Sequence, residues 1–320
     1  MERAIEITGL SKKFGVNEVL HGIDFNVPKG SIFGVIGPNG AGKTTIMRCL
    51  LDVIRPSSGA LKVLGQNPTQ GGPALRRRIG YLPGELILES RTTGRRILEH
   101  FAAISGPVKP GMVESLAERL DLDLDNQARR LSKGNKQKLG LVQAFMHEPE
   151  LLVLDEPTSG LDPLMQQEFL TLIREAQDNG QTVFLSSHVL SQIQQAADEV
   201  AILREGSIVT LSTVDNLRES AIRHVRVLFP GDDLQGARAS CAGVPGIHNL
   251  EVRQAHDGSY GAVIEARARI EGSVEPLVHV LASTKILDLV IEEPDLEEAV
   301  LKMYSAEPAA KTPARREGRR

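Results

Sequence analysis

Lys43 and Thr44 close the stretch Gly37-Pro38-Asn39-Gly40-Ala41-Gly42-Lys43-Thr44-Thr45, which fits G-x-x-x-x-G-K-[ST] without a mismatch. A glycine-rich backbone can curl so that several N–H groups converge on a polyphosphate, because no Cβ blocks the path. A helix starting at the end of such a loop adds unpaired N–H groups and the positive end of its dipole. Lys43 then supplies a point charge for the β and γ phosphates, and the Thr44 hydroxyl supplies a ligand for Mg²⁺. Further along, Leu151-Leu152-Val153-Leu154 runs into Asp155 and Glu156. Adjacent residues on a strand point to opposite sides, so the two acids divide the work. Asp155 suits the metal shell; Glu156 suits a water aimed at the γ-phosphorus, as general base or orienter.

These groups need strands and helices to hold them. Ser31–Ile36 reads SIFGVI, a buried-strand run, and Thr45–Ile54 carries Ile46, Leu50, Val53 and Ile54 at helical spacing. Strand, glycine loop and helix is the context the phosphate loop requires. Ala4–Thr8, Ile23–Val27, Ala60–Leu64, Ile79–Leu82, Leu151–Leu154 and Thr182–Leu185 also read as strands. Thr93 to about Leu120 reads as helical, with a break at Gly106-Pro107 and Pro110-Gly111, and Lys133–Met146 as a further helix. Another helix follows Pro163. Strands alternating with helices predict an α/β fold with a parallel sheet covered on both faces. Near Ser220 the pattern changes. Strands at Val225–Phe229, His248–Gln254, Gly261–Ala268 and Leu287–Ile291, with helical stretches between, predict a small ferredoxin-like α+β domain of β-α-β-β-α-β order. Asp295–Tyr304 reads as a closing helix, with capping-box spacing at Asp295 and Glu298 and one apolar stripe of Leu296, Ala299, Val300 and Met303.

Composition narrows the class. The chain has 320 residues, 41% hydrophobic and 24% charged, which fits two ordinary globular domains. A net charge of −4, 3% aromatics and no Trp argue against direct nucleic-acid binding. Cys49 and Cys241 have no metal-ligand spacing and no disulfide framework, as expected in a reducing cytosol. No signal-peptide core opens the chain, and no run of about 18 apolar residues would span a membrane. The expected division is 1–220, with a helical part at about 85–145, then 221–304, then a disordered basic tail at 305–320.

Between the phosphate loop and the acidic pair stands Leu131-Ser132-Lys133-Gly134-Asn135-Lys136-Gln137, at a helix start. This resembles the LSGGQ signature of ATP-binding cassette (ABC) ATPases. Ser159-Gly160-Leu161-Asp162 resembles the family's D-loop, and Ser186-Ser187-His188 its switch histidine, which implies a contact from His188 to the γ-phosphate. The match runs from Ile5 to about Leu217. The resemblance implies a RecA-like core with an antiparallel β subdomain and a helical subdomain. It also implies a head-to-tail homodimer around two ATPs. Lys43, Thr44, Asp155, Glu156 and His188 would come from one copy, and Ser132 and Gly134 from the other. Phe14, 29 residues before Lys43, resembles the family's adenine-stacking aromatic, and Asp162 joins the nucleotide-binding set. Two departures stand out: Lys133 and Asn135 replace the commoner Gly and Gln, and Gly84-Glu85 stands where a metal-touching glutamine is usual. Glu85 is the candidate substitute as an Mg²⁺ ligand.

The signature LSKGNKQK and the end IEEPDLEEAVLKMY are similar to the multidrug and antibiotic-export (ABC-2 type) branch. That implies an ATPase on the cytoplasmic face of the cell membrane, coupled to separate polytopic permease subunits and exporting a drug, antibiotic or lipid-like molecule. Two alternatives stay open: a non-transport ABC ATPase acting on ribosomes or DNA, and an import cassette with a regulatory C-terminal domain.

Overall fold

The structure, a computed structural model, describes residues 2–88, 91–220 and 222–292. The closing helix expected at Asp295–Tyr304 and the basic segment 305–320 lie outside the described residues. The chain divides into two compact units, Met1–Asn216 and Leu217–Arg320.

The first unit opens with the hairpin β1 (Arg3–Phe14) and β2 (Asn17–Pro28), then β3 (Ile32–Ile36) and α1 (Lys43–Leu50). β4 (Ser58–Val63), α2 (Pro68–Arg76) and β5 (Ile79–Leu82) follow. Next come α3 (Gly94–Ser105), α4 (Met112–Arg119), a single 3-10 turn and α5 (Lys133–Phe145). The α3–α4 break falls on the Gly-Pro and Pro-Gly pairs that the sequence marks. Then β6 (Leu151–Asp155), α6 (Pro163–Asp178), β7 (Thr182–Ser187) and α7 (Leu190–Ala196) alternate. β8 (Glu199–Arg204) and β9 (Ser207–Thr213) complete the unit, and α8 (Val214–Ser220) crosses the division.

The main sheet runs β5-β6-β7-β3-β8-β9. Its first five strands are parallel and β9 is antiparallel to β8. Every residue of β3, β6 and β7 is buried, which is why these strands read as continuous apolar runs rather than as alternation. Because β3, β6 and β7 are parallel, their carboxyl ends emerge at one edge, where ligands of open α/β sheets bind. That edge therefore collects the glycine loop, the Asp155-Glu156 pair and Ser186–His188.

A separate antiparallel sheet, β2-β1-β4, carries the start of the chain. Phe25 on β2 stacks on Phe33 of β3 at 5.3 Å and on Phe184 of β7 at 6.0 Å, and so joins this sheet to the centre of the parallel one. Irregular register between β1 and β2 explains why both strands are longer than alternation alone predicts.

The second unit comprises β10 (Ile222–Pro230), α9 (Leu234–Ala242), β11 (Ile247–Asp257), β12 (Gly261–Glu271), α10 (Glu275–Ala282) and β13 (Asp288–Ile291). Its sheet order is β11-β12-β10-β13, every neighbour antiparallel. β10 and β11 thus run the same way with β12 between them, the split βαβ arrangement expected from the element order. Val225, Val227 and Phe229 of β10 pack with Ala237 and Cys241 of α9 and Leu277 and Leu281 of α10.

Candidate active site

The phosphate loop leaves β3 and enters α1 at Gly42, whose φ of 110° favours glycine. A Cβ there would also stand 2.7 Å from Leu20 Cδ2. Lys43 opens the helix and is only 6% exposed. Its Nζ donates to the Gly37 carbonyl at 2.6 Å and the Pro38 carbonyl at 3.3 Å, and so lies folded over the loop. The loop thereby gathers cation, helix start and curled backbone around one point, as a polyphosphate requires.

At the end of β6, Asp155 is buried and both its oxygens are engaged. The Thr44 hydroxyl donates to Oδ2 at 2.7 Å, and the Ser186 hydroxyl donates to Oδ1 at 2.6 Å. Burial first, and then the Asp155 charge, raise the pKa of the Tyr81 phenol above its ordinary value. Thr44 and Asp155 form a small all-oxygen set at the loop, the kind Mg²⁺ takes when phosphates and water complete its shell. The residues present therefore fit the metal. Gly84 sits against this pair: a Cβ there would come within 3.2 Å of Asp155 Oδ2. Glu85 is exposed, and among the described residues it makes no hydrogen bond or ion pair. The backbone of Gly84, rather than the Glu85 carboxylate, is what the structure brings to the metal pair.

Glu156 follows with φ of 49°, in the left-handed region that a residue with a Cβ rarely adopts. Such backbone persists only where surroundings hold it, and it gathers at functional sites. Here the Glu156 N–H donates to Ser186 Oγ at 3.0 Å. Its carbonyl accepts from the Ser159 N–H at 3.1 Å and from Gln137 Nε2 at 3.1 Å. The conformation aims the carboxylate between two basic groups. His188 Nδ1 lies 2.7 Å from Oε2, and Lys43 Nζ lies 3.3 Å from Oε1. Oε1 is buried and accepts no hydrogen bond among the described residues. Against a carboxylate acceptor His188 carries its proton on Nδ1.

The remaining predicted residues lie elsewhere in the unit. Ser132 caps α5, its hydroxyl accepting from the Asn135 N–H at 3.2 Å. Gly134 packs on the D-loop so closely that a Cβ would stand 2.6 Å from the Gly160 carbonyl oxygen. Lys133 Nζ donates to Ser159 Oγ at 3.1 Å. Asp162 caps α6 by accepting from the Met165 N–H at 3.0 Å. No hydrogen bond or ion pair among the described residues links Ser132 or Asp162 to Lys43, Glu156 or His188. Phe14 stands 49% exposed at the end of β1, with Lys12 Nζ 4.9 Å from its ring centre, so it is not a core residue.

Sequence reasoning gave no separate role to Ser186 or Gln137. Ser186 stands in the run Ser186-Ser187-His188, where only His188 carries a role of its own. Gln137 lies four residues before Leu141 on the buried side of α5 and is 3% exposed. A polar residue at an apolar position of a helix face was the available signal.

Residues 20–159 match the sequence family described as ABC transporter. A bacitracin transport ATP-binding protein of Bacillus licheniformis is 33% identical over 308 residues, covering 95% of this chain and 98% of that one. A daunorubicin resistance ATP-binding protein of Streptomyces coeruleorubidus is 35% identical over 222 residues, 68% of this chain and 70% of that one. Among solved structures, an ATP-binding subunit of an ABC transporter superposes with a TM-score of 0.63 and 31% identity, covering 67% of this chain and 92% of that one.

Proposed function

This chain belongs to the ABC transporter family of ATP-binding proteins, and from that premise we propose that two copies dock head to tail and drive an exporter. The chain binds and hydrolyses ATP in the service of transport, and the membrane-spanning parts belong to other subunits. No helix among the described residues is long and apolar enough to cross a membrane.

In the proposed dimer each phosphate loop holds one ATP, and Ser132 and Gly134 of the other copy close over its γ-phosphate. Lys43 leaves the Gly37 and Pro38 carbonyls for the β and γ phosphates. Glu156 orients a water and takes its proton as the water oxygen bonds to the γ-phosphorus. The bond from that phosphorus to the bridging oxygen breaks, and ADP leaves with the electron pair. His188 holds Glu156 through Nδ1. Thr44 and Asp155 would hold Mg²⁺, which when bound neutralises charge on the phosphate oxygens. Phe14 offers a face for the adenine. Asp162 serves by capping α6 at the end of the D-loop, and Glu85 is the further candidate ligand for the metal.

The observation that carries this reading is the contact set Lys43–Glu156–His188 beside Thr44–Asp155, five residues from three elements meeting at one sheet edge. The two relatives are named for different antibiotics at similar identity, which supports a substrate chosen by the membrane subunits. A drug, antibiotic or lipid-like molecule is the class proposed, with the chain seated on the cytoplasmic face of the membrane through those subunits. The test is Glu156→Gln in the full chain. It should retain ATP binding, lose turnover, and shift from monomer to dimer in light scattering when ATP and Mg²⁺ are added. A variant that stays monomeric with ATP bound would count against the head-to-tail site. Pull-down of a polytopic membrane protein would support export, and of ribosomes would oppose it.

A further inference from the structure

Glu156 has a left-handed backbone that its own side chain disfavours, so something must hold it there. The next residue, Pro157, has no N–H and cannot continue the ladder of β6. The segment is instead pinned by side chains. Ser186 accepts from the Glu156 N–H, on the side of β7. On the other side Gln137 Nε2 donates to two successive carbonyls, that of Glu156 at 3.1 Å and that of Pro157 at 3.0 Å. Gln137 is 3% exposed and both its amide hydrogens are committed to this backbone. A buried amide bridging two consecutive carbonyls fixes the peptide plane between them, and with it the direction in which the Glu156 carboxylate leaves the chain.

Gln137 also lies on α5, five residues after Ser132. The first two turns of that helix grip the same loop twice more, through Lys133 to Ser159 and through the close approach of Gly134 to Gly160. The helix and the catalytic loop are therefore one mechanical piece. We propose that Gln137 is a positioning residue for hydrolysis: it holds the Glu156 backbone in its left-handed form and transmits the placement of α5 to the catalytic carboxylate. This rests on the head-to-tail reading. The start of α5 contacts the nucleotide of the other copy, while Glu156 acts on the nucleotide of its own. Occupancy of one site then sets the aim of the carboxylate in the other.

The experiment uses the full chain with steady-state ATPase kinetics. Gln137→Met removes both donors at similar volume, and Gln137→Asn keeps an amide but draws it back by one methylene. Both should lower kcat by roughly 10- to 100-fold, the scale of a small misplacement of a catalytic group, with KM for ATP within about twofold. Both should also flatten any sigmoidal dependence of rate on ATP. Added to Glu156→Gln, neither should lower turnover further, because a residue acting only through Glu156 has nothing left to act on. Wild-type kcat in the folded Asn variant overturns the proposal. So does a further multiplicative loss in the double variants, which would mark a merely structural role. Should Glu156→Gln itself keep full turnover, the assignment of Glu156 fails and this inference falls with it. Loss in Glu156→Gln with unaffected Gln137 variants overturns the role of Gln137 alone.

Discussion

Glu156 and Glu265 are both largely buried carboxylates at sheet residues or their ends, one in each unit, and they are treated in opposite ways. Glu265 on β12 is 5% exposed and both its oxygens are bonded. Arg253 donates to Oε2 from Nε at 2.9 Å and from Nη2 at 2.7 Å, and Arg267 donates to Oε1 at 2.9 Å. Burial alone would raise its pKa, but Arg267 and Arg253 outweigh it and hold the carboxyl below its ordinary value. Glu156 has one oxygen on a histidine and the other beside a lysine, without a hydrogen bond among the described residues, on a backbone that must be held in place. A satisfied carboxylate stabilises a fold. A carboxylate with spare accepting capacity, kept rigid, can take a hydrogen bond from a donor that arrives later.

Exchanging the charge of each residue tests that contrast most directly. Glu156→Gln should cut turnover by about 10² to 10⁴-fold, the usual worth of a general base, with ATP affinity and thermal stability little changed. Glu265→Gln should do the reverse. ATPase rate should stay at wild type, while denaturant unfolding followed by hydrogen exchange in β10–β13 should show a loss of about 1–3 kcal/mol. That figure is set low because Arg253 and Arg267 are more than half exposed and can turn to water. Equal loss of activity in both variants would erase the distinction.

Aromatic rings repeat it on a smaller scale. Phe25, Phe33 and Phe184 satisfy one another in a stack, whereas Phe14 is half exposed. Phe14→Ala should raise KM for ATP about fivefold, close to 1 kcal/mol of stacking, with kcat unchanged. The smallest effect is expected from His147. Its ring nitrogens are buried and make no hydrogen bond of ordinary geometry among the described residues. Burial lowers its pKa below 6.5, outweighing the Ile79 backbone nearby. The unfolded chain then binds the proton more readily than the folded one, so stability is full above pH 6.5 and declines as pH falls through the folded value. His147→Gln should flatten the pH dependence of the melting temperature below neutrality.

What the sequence made legible follows from how local each cause is. The phosphate loop, the acidic pair and the Ser186-Ser187-His188 run are readable because each is a short run at a strand end, and a parallel sheet forces such ends together. β8 and β9 were not picked out. Val200–Leu203 is apolar without alternation, and a polar-faced edge strand such as β9 depends on its neighbour for its identity. The Glu85 expectation went by position after β5, whereas the approach to Asp155 is made by the backbone of Gly84, which carries no side-chain signal. Gln137 and Ser186 stand inside sequence motifs without a role of their own, because their hydrogen bonds reach across 19 and 30 residues of chain to a backbone conformation that no motif spells out.

The exposed ring at the end of β1 has an optical consequence. The chain contains no tryptophan and three tyrosines, so its near-ultraviolet emission is weak. Phe14→Trp would place a single indole on the hairpin beside Lys12. An adenine stacking on it should quench that emission, and a titration would then read nucleotide occupancy with no label attached.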